Sequence, residues 1–225
     1  MQEVLTAGLV LIVTHFGMSS AAVRPALVRV FGERGFLGVY SLVSLGALSW
    51  LIYAYGHAPR FGYAWFADPA LDILPKAVMP VACILLLGGF LVKNPTTVGM
   101  ENLLSGDNEA RGLLRITRHP FMWAVVIWSV SHIVVNGDYV SLAFFGTFLV
   151  LAGVGAVLID GKKARKMGAD WSRFAAVTSN VPFAAILRGR NRFVPGELLA
   201  PVLVGLVGYV LLVFAHEWIA GVPLV

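Results

Sequence analysis

Six apolar stretches, each close to the length that a bilayer requires, dominate the sequence. Crossing about 30 Å of hydrocarbon takes about 20 mostly apolar helical residues. The stretches run over residues 4–20, 36–56, 76–92, 120–135, 139–158 and 198–218. Only 13% of the 225 residues are charged, about half the share in an average soluble domain. The sequence therefore predicts an all-α, polytopic transmembrane bundle of about six helices, in a single domain over residues 1–225.

The basic residues alternate with these stretches. Fifteen of the 17 Lys and Arg residues fall after the first, third and fifth stretches, and only Arg60 and Lys76 fall elsewhere. Cytoplasmic loops of membrane proteins carry such an excess of Lys and Arg. The distribution predicts six spans with both termini on the non-cytoplasmic side. It also explains the net charge of +5 through membrane topology, without a nucleic-acid partner.

Two segments between the stretches are predicted to lie outside the hydrocarbon. Residues 167–187 mix aromatic and polar side chains around Pro182, a pattern typical of an amphipathic segment at the membrane interface. Residues 94–118 form a polar loop, and we expect four leucines to rest at the interface there: Leu103, Leu104, Leu113 and Leu114.

Histidines are the candidate chemical groups of the spans. His15 and His132 lie well inside two of them, whereas His57 and His216 lie near outer ends and His119 at an inner start. Ionisable residues within spans are functional candidates by default. Imidazoles in a membrane bundle without further metal ligands indicate haem b, because zinc requires three or four converging ligands.

Spacing limits which histidines can share one haem iron. His119 and His132 are 13 residues apart on one helix, about 20 Å in height, so they cannot bind the same metal. We predict His15 and His132 as the axial pair, although helix positions place them very roughly 8–10 Å apart in depth. His57 is therefore a reserve ligand. The competing interpretation is that each histidine simply bonds a polar group on a neighbouring helix.

A second cluster precedes the fourth stretch. Arg118 and His119 stand just before Pro120, a residue suited to a helix start. The pair is equally well explained as a basic membrane anchor and as a site for an anion such as phosphate, a carboxylate or a haem propionate. We include Arg118 and His119 among the predicted cofactor-binding residues.

Several motifs in order along the chain resemble those of the NnrU family. They are Tyr40-Ser41-Leu42-Val43-Ser44-Leu45, His15, Arg118-His119-Pro120, Ser131-His132, Asn136-Gly137-Asp138, Thr178-Ser179-Asn180-Val181-Pro182-Phe183 and Gly189-Arg190. The resemblance covers nearly the whole chain. It implies a bacterial inner-membrane protein linked to nitrite and nitric oxide reduction in denitrification.

The same superfamily contains 15-cis-zeta-carotene isomerase, a haem b membrane enzyme. The resemblance implies haem b as cofactor, His15 and His132 as its ligands, and cis–trans isomerisation of a polyene lipid as the activity. In the isomerase a cysteine stands three residues before the second histidine. Ser129 occupies that position here, so the resemblance to the isomerase is incomplete at this residue.

Two other functions fit the sequence. Isoprenylcysteine and phospholipid methyltransferases also carry Arg-His-Pro at a helix start, but Met122 and Ala124 replace the Tyr and Gly that follow it there. A non-enzymatic accessory of a reductase is the other alternative. The predicted partners are membrane lipids, an apolar lipid-like substrate, and either a reductase or a second copy of the chain.

Overall fold

The computed structural model describes residues 1–97 and 110–224, and this part of the chain confirms the all-α prediction. The fold is 76% helical, and the described residues contain no strand beyond an isolated bridge between Tyr63 and Asp138. The helices are α1 (Gln2–Met18), α2 (Arg24–His57), α3 (Ile73–Phe90), α4 (Leu113–Ile116), α5 (Pro120–Val135), α6 (Tyr139–Met167), α7 (Ala169–Val177), α8 (Ala184–Leu187) and α9 (Leu199–Ala220).

Each predicted span overlaps a helix, but α2 begins at Arg24, 12 residues before the predicted start at residue 36. Helices α2, α3, α6 and α9 are long and apolar enough to cross a membrane, α3 and α9 together with the 3-10 turns before them. Helices α1 and α5 are apolar but shorter, with 17 and 16 residues. That all six cross the bilayer, and that both termini lie outside, stay predictions.

Local sequence explains where the long helices begin and bend. Helix α5 starts at Pro120, a position where the missing N–H costs no hydrogen bond. Helix α6 follows the Asn136-Gly137-Asp138 turn, where the Asp138 carboxylate accepts the Ser141 N–H at 2.9 Å and caps the first turn. Helix α2 is interrupted at Gly32, whose φ of 69° is readily adopted only by glycine.

By internal packing the chain forms two compact units. The first comprises Met1–Asp72 and Ser129–Leu151, with α1 packed along α2. Its core includes Val4, Leu51 and Val140, each fully buried. A loop after α2 is tied to the turn before α6, because the Ala64 N–H donates to the Gly137 carbonyl at 2.8 Å and the Trp65 indole donates to the Val134 carbonyl at 3.1 Å.

The second unit comprises Ile73–Trp128 and Ala152–Val225, with α3 packed along α9. Close approach of these helices depends on Gly205, since a Cβ there would overlap the backbone of Ile84. The unit also contains the first part of α5, the second part of α6 and the short helices α4, α7 and α8. Leu113 and Ile116 of α4 pack with Leu85 and Ala124 in one buried cluster.

The loop leucines lie deeper than the sequence suggests. The polar-loop pattern predicts Leu113 and Leu114 at the membrane interface, but both are buried in the protein. Leu114 packs with Trp171 and Phe174, so α7 of the predicted interfacial segment turns its aromatic side chains toward α4. Leu103 and Leu104 lie outside the described residues, and the interfacial location of residues 167–187 stays a prediction.

Candidate functional site

His15 lies on α1 beside a tyrosine of α2. The Tyr40 hydroxyl is 3.0 Å from Nδ1 and 2.9 Å from Nε2 of the His15 ring, so it lies against the ring edge between the two nitrogens. The Ser44 hydroxyl, one turn further along α2, is 3.5 Å from Nδ1. The ring is half-buried. A hydroxyl bonds one ring nitrogen at a time, and the tautomer of His15 decides which ring nitrogen donates and which accepts.

His132 lies near the end of α5, in the same compact unit as His15. Its half-buried ring lies against Phe145 of α6, with ring centroids 4.9 Å apart and planes at 33°. The Ser131 hydroxyl is 3.4 Å from Nδ1. Aromatic packing of this kind restricts the orientation of the imidazole. The structure therefore places both predicted axial residues on apolar helices of one unit.

Ser129 precedes His132 by three residues, nearly one helical turn. Its hydroxyl is completely buried, and it is the one buried side-chain oxygen or nitrogen in the described residues that lacks a hydrogen-bond partner. Burying a hydroxyl without a partner is unfavourable, and a polar group bound beside it would remove that cost. The residues around His132 thus fit a binding site in which a further polar group would provide the hydrogen-bond partner that Ser129 lacks.

His57, the reserve ligand, is engaged at the end of α2. Its Nδ1–H donates to the Tyr53 carbonyl at 2.8 Å, and its ring stacks on the Tyr53 ring at a centroid distance of 4.1 Å. The side chain is exposed. Only Nε2 is left as a ligand atom, on a ring whose orientation Tyr53 already fixes.

Arg118 and His119 share one carboxylate in the second unit. The Arg118 Nε–H faces both oxygens of Asp160, at 3.1 and 3.0 Å. His119 Nε2 lies 2.7 Å from Oδ1 of the same residue. The imidazole is buried, with 1% of the side chain exposed. The Arg118 Nη1 also donates to the Thr178 hydroxyl at 3.1 Å. These two predicted site residues are therefore brought together, by a residue that the sequence motifs did not include.

A polar backbone frame holds this cluster in place. The Thr117 hydroxyl donates to the Asn180 carbonyl at 2.6 Å, and the Arg118 N–H donates to the Ser179 carbonyl at 2.9 Å. The Trp123 indole donates to the same Asn180 carbonyl at 2.8 Å. The chain before α5 is thus fixed against the segment after α7, which positions the Arg118 guanidinium.

A signal for Asp160 is present in the sequence. It is the first charged residue after the apolar stretch 139–158, and an acidic residue there departs from the Lys and Arg that follow. A carboxylate at the end of a span requires a cationic partner. The described residues contain no group of three or more His, Cys, Asp or Glu side chains placed to hold a metal ion.

Curated relatives of this sequence are enzymes of plants. The chain is 27% identical to the 15-cis-zeta-carotene isomerase, chloroplastic, of Arabidopsis thaliana over 81% of its own length and 50% of that protein. It is 26% identical to the enzyme of the same name in Zea mays, over 80% of the chain and 49% of the relative. The chain thus spans about half the length of the curated relatives it matches.

No solved structure matches the chain. The sequence does match a family model described as NnrU protein, and this match extends over residues 4–224. Because it covers nearly all residues of both compact units, the chain belongs to the NnrU family.

Proposed function

We propose that this membrane protein binds haem b through His15 and His132 and isomerises a double bond of a polyene lipid. Membership of the NnrU family and distant homology to 15-cis-zeta-carotene isomerase support the isomerase part of the proposal. A substrate of the class of 15-cis-zeta-carotene is accordingly proposed for this chain.

The observation that carries the proposal is the environment of the two imidazoles. Each is half-buried on an apolar helix of the first unit, and each ring is oriented by an aromatic neighbour, Tyr40 for His15 and Phe145 for His132. Imidazole is a common axial ligand of haem iron. Ser129, buried and without a partner one turn before His132, supports a bound polar or coordinating group on that side of α5.

The roles of the protein residues follow from these contacts. The Tyr40 hydroxyl lies within hydrogen-bond distance of both nitrogens of His15, and such a contact orients a metal-ligating imidazole. Phe145 limits rotation of His132. If haem is bound, His15 and His132 would hold it, and its iron would supply charge exchange with a conjugated double bond, which would lower the barrier to rotation about that bond. Apolar helix residues accommodate a substrate that has no polar groups and exclude water from it.

Absorption spectroscopy of the full-length protein in detergent tests the haem part. We expect a Soret band that shifts on reduction in the wild type and is lost in His15→Ala and His132→Ala. His57→Ala and His216→Ala are matched controls that should keep the band. A full-strength Soret band in both His15→Ala and His132→Ala would contradict the proposed ligation.

Isomerase activity is tested separately, by incubating the reduced protein with 15-cis-zeta-carotene and separating the isomers by chromatography. Conversion by the wild type and its loss in His132→Ala are expected. Unchanged substrate, with haem fully bound, would remove the isomerase proposal while the haem proposal stood.

The other predicted functions remain open to direct measurement. Saturable binding of S-adenosylmethionine would favour the methyltransferase alternative, which the family match disfavours. The links to denitrification and to the bacterial inner membrane stay predictions, since the curated relatives are chloroplastic. A role of Arg118 and His119 in cofactor binding also stays a prediction.

A further inference from the structure

A cavity of about 290 Å³ opens in the second unit, beside the Asp160 cluster. Three arginines line it, Arg118, Arg188 and Arg190, together with uncharged residues between Ala175 and Ala184. No Asp or Glu side chain is among the lining residues that the structure describes. A concave site with several positive charges and no negative one attracts and retains anions.

Arg118 forms the inner wall of the cavity. Its side chain is 13% exposed, and Asp160 and Thr178 accept hydrogen bonds from Nε and Nη1 only. A guanidinium has five N–H groups, so N–H groups at Nη2 have no acceptor among the described residues. Fully buried polar atoms without a partner do not include Nη2. Nη2 is therefore accessible, and the cavity supplies that access. Asp160 thus orients the Arg118 guanidinium but does not accept hydrogen bonds from all of its N–H groups.

Arg190 stabilises the wall and adds charge. Its Nη1 donates to the carbonyls of Ala175, Ala176 and Thr178, at 3.0, 2.8 and 3.1 Å. These carbonyls belong to the C-terminal end of α7, where a cation is favourable. Arg190 is therefore a structural cap whose positive charge faces the cavity at the same time.

Arg188 has no structural role of this kind. Its side chain is exposed and makes no hydrogen bond or ion pair within the described part of the chain. Two uncharged donors stand nearby on the cavity lining. The Ser179 hydroxyl accepts the Ala185 N–H and has its own proton to donate, and the Asn180 side-chain oxygen accepts from Trp123, which leaves its NH₂ group as a donor.

From this arrangement we propose that the cavity is a binding site for a phosphoryl group, held by Arg118, Arg188, Ser179 and Asn180. A phosphoryl group offers several acceptor oxygens in diverging directions, and guanidinium groups bind it in bidentate fashion. The donors lie in the chain before α5, in the segment between α7 and α8 and just after α8, all on the lining of one cavity, an arrangement suited to more than the two oxygens of a carboxylate. The site does not include His15 or His132 and does not depend on them, although Arg118 is also among the residues that the sequence predicts to bind the cofactor.

The phosphoryl group has two sources, an anionic phospholipid headgroup or free phosphate. The positive-inside pattern predicts that this end of the bundle faces the cytoplasmic headgroups, and basic pockets at that level bind anionic lipids. The experiment has one arm for each source. Inorganic phosphate is titrated into the detergent-solubilised full-length chain at constant ionic strength with chloride, with the unfolding midpoint as readout. Separately, retention of phosphatidylglycerol from mixed vesicles with phosphatidylcholine is measured by native mass spectrometry.

Arg188→Gln is the test variant and Arg192→Gln the matched control, since Arg192 has the same charge, lies in the same segment and does not line the cavity. Loss of one guanidinium–phosphoryl contact weakens binding about tenfold or more. We expect that loss in Arg188→Gln, partial retention in Arg188→Lys, and no change in Arg192→Gln. The unfolding midpoint of Arg188→Gln in chloride alone should equal that of the wild type.

Each result decides the proposal. Saturable binding in the phosphate arm identifies free phosphate as a ligand, and saturable binding in the lipid arm alone identifies the headgroup. Equal binding by Arg188→Gln and Arg192→Gln in both arms, or no saturable binding in either, overturns the site.

Discussion

Asp160 Oδ1 lies 2.7 Å from Nε2 of the buried His119, and the same carboxylate receives the Nε–H of Arg118. One acidic residue at the end of an apolar stretch thus holds both members of the Arg118-His119 pair. Removing one partner from a partly buried charge cluster leaves the others without compensation. The cluster is therefore a positioning element for Arg118 as well as a stabilising one.

Asp160→Asn should destabilise the protein by about 2 kcal/mol, because the amide gives up the charge-assisted bonds to Arg118 and His119. Unfolding titrations with SDS measure the change. Glu33→Gln is the control, since the Arg24–Glu33 pair is exposed and such pairs contribute about 0–1 kcal/mol. Equal effects of the two substitutions would show that the cluster is only a surface ion pair.

Tyr40→Phe should weaken haem binding about 10- to 100-fold, the typical cost of losing a hydrogen bond to a metal-ligating histidine. Titration of haem into the apoprotein, followed by Soret absorbance, measures the affinity. Tyr53→Phe, which removes a hydroxyl from an exposed residue stacked on His57, is the control. If Tyr40→Phe and Tyr53→Phe bind haem equally well, then Tyr40 does not orient a ligand.

The helical architecture is predictable because it depends on local properties. Apolar runs of the right length, and Pro120 at a helix start, place α5 at the predicted residues 120–135. The predicted span ends at residue 158, but helix α6 continues to Met167. The apolar pattern misses these last turns because they lie in a basic segment whose hydropathy is that of a loop. The hydropathy of the sequence therefore predicts the apolar part of α6 but not the residue at which the helix ends.

Pairing between distant residues is not predictable from one sequence. A short motif identifies His119 and Arg118, but their partner Asp160 is about 40 residues away in sequence, and nothing local connects them. The same holds for Leu113 and Leu114. Their burial depends on Trp171 and Leu85, from two other segments that single-sequence patterns cannot bring together.

Gly137→Ala should destabilise the first unit by about 2 kcal/mol, because an added Cβ would overlap the carbonyl oxygen of Trp65 and displace the loop. Gly146→Ala is the matched control in α6. Nothing lies within 4 Å of a Cβ at that position, and Ala is favoured over Gly in a helix by about 0.5–1 kcal/mol. SDS unfolding of both variants measures the difference, and a neutral Gly137→Ala would contradict the observed loop packing.

Ser129→Ala should leave the haem-free protein as stable as the wild type or more stable by about 1 kcal/mol, since it removes a buried hydroxyl that has no partner. Ser141→Ala is the control. The buried Ser141 hydroxyl lies 3.2 Å from both the Tyr55 hydroxyl and Arg60 Nη1, and its loss should cost about 1–2 kcal/mol. A large loss of stability in haem-free Ser129→Ala would mean that the hydroxyl already has a partner inside the protein.

Asp138 makes the stability of the first unit depend on pH. Burial raises the pKa of this carboxyl, but hydrogen bonds from the Ser141 hydroxyl and backbone, with the charge of Arg60, outweigh burial and hold the pKa below its ordinary value of 3.8. The folded state therefore binds the proton less readily than the unfolded chain does. The contribution to stability is complete above pH 3.8 and is lost as the pH falls below this value through the lower folded pKa.

The wild type should accordingly lose stability on acidification below about pH 4, and Asp138→Asn should lose less over the same interval because it has no proton to bind there. The difference between the two unfolding midpoints, followed from pH 6 to pH 3, isolates the contribution of this residue from those of the other carboxylates. Ser141→Ala should show a smaller acid-dependent loss than the wild type, because it removes one of the hydrogen bonds that lower the pKa. If the wild-type and Asp138→Asn midpoints fall in parallel, the turn before α6 is held by Arg60 and Ser141 without the Asp138 charge.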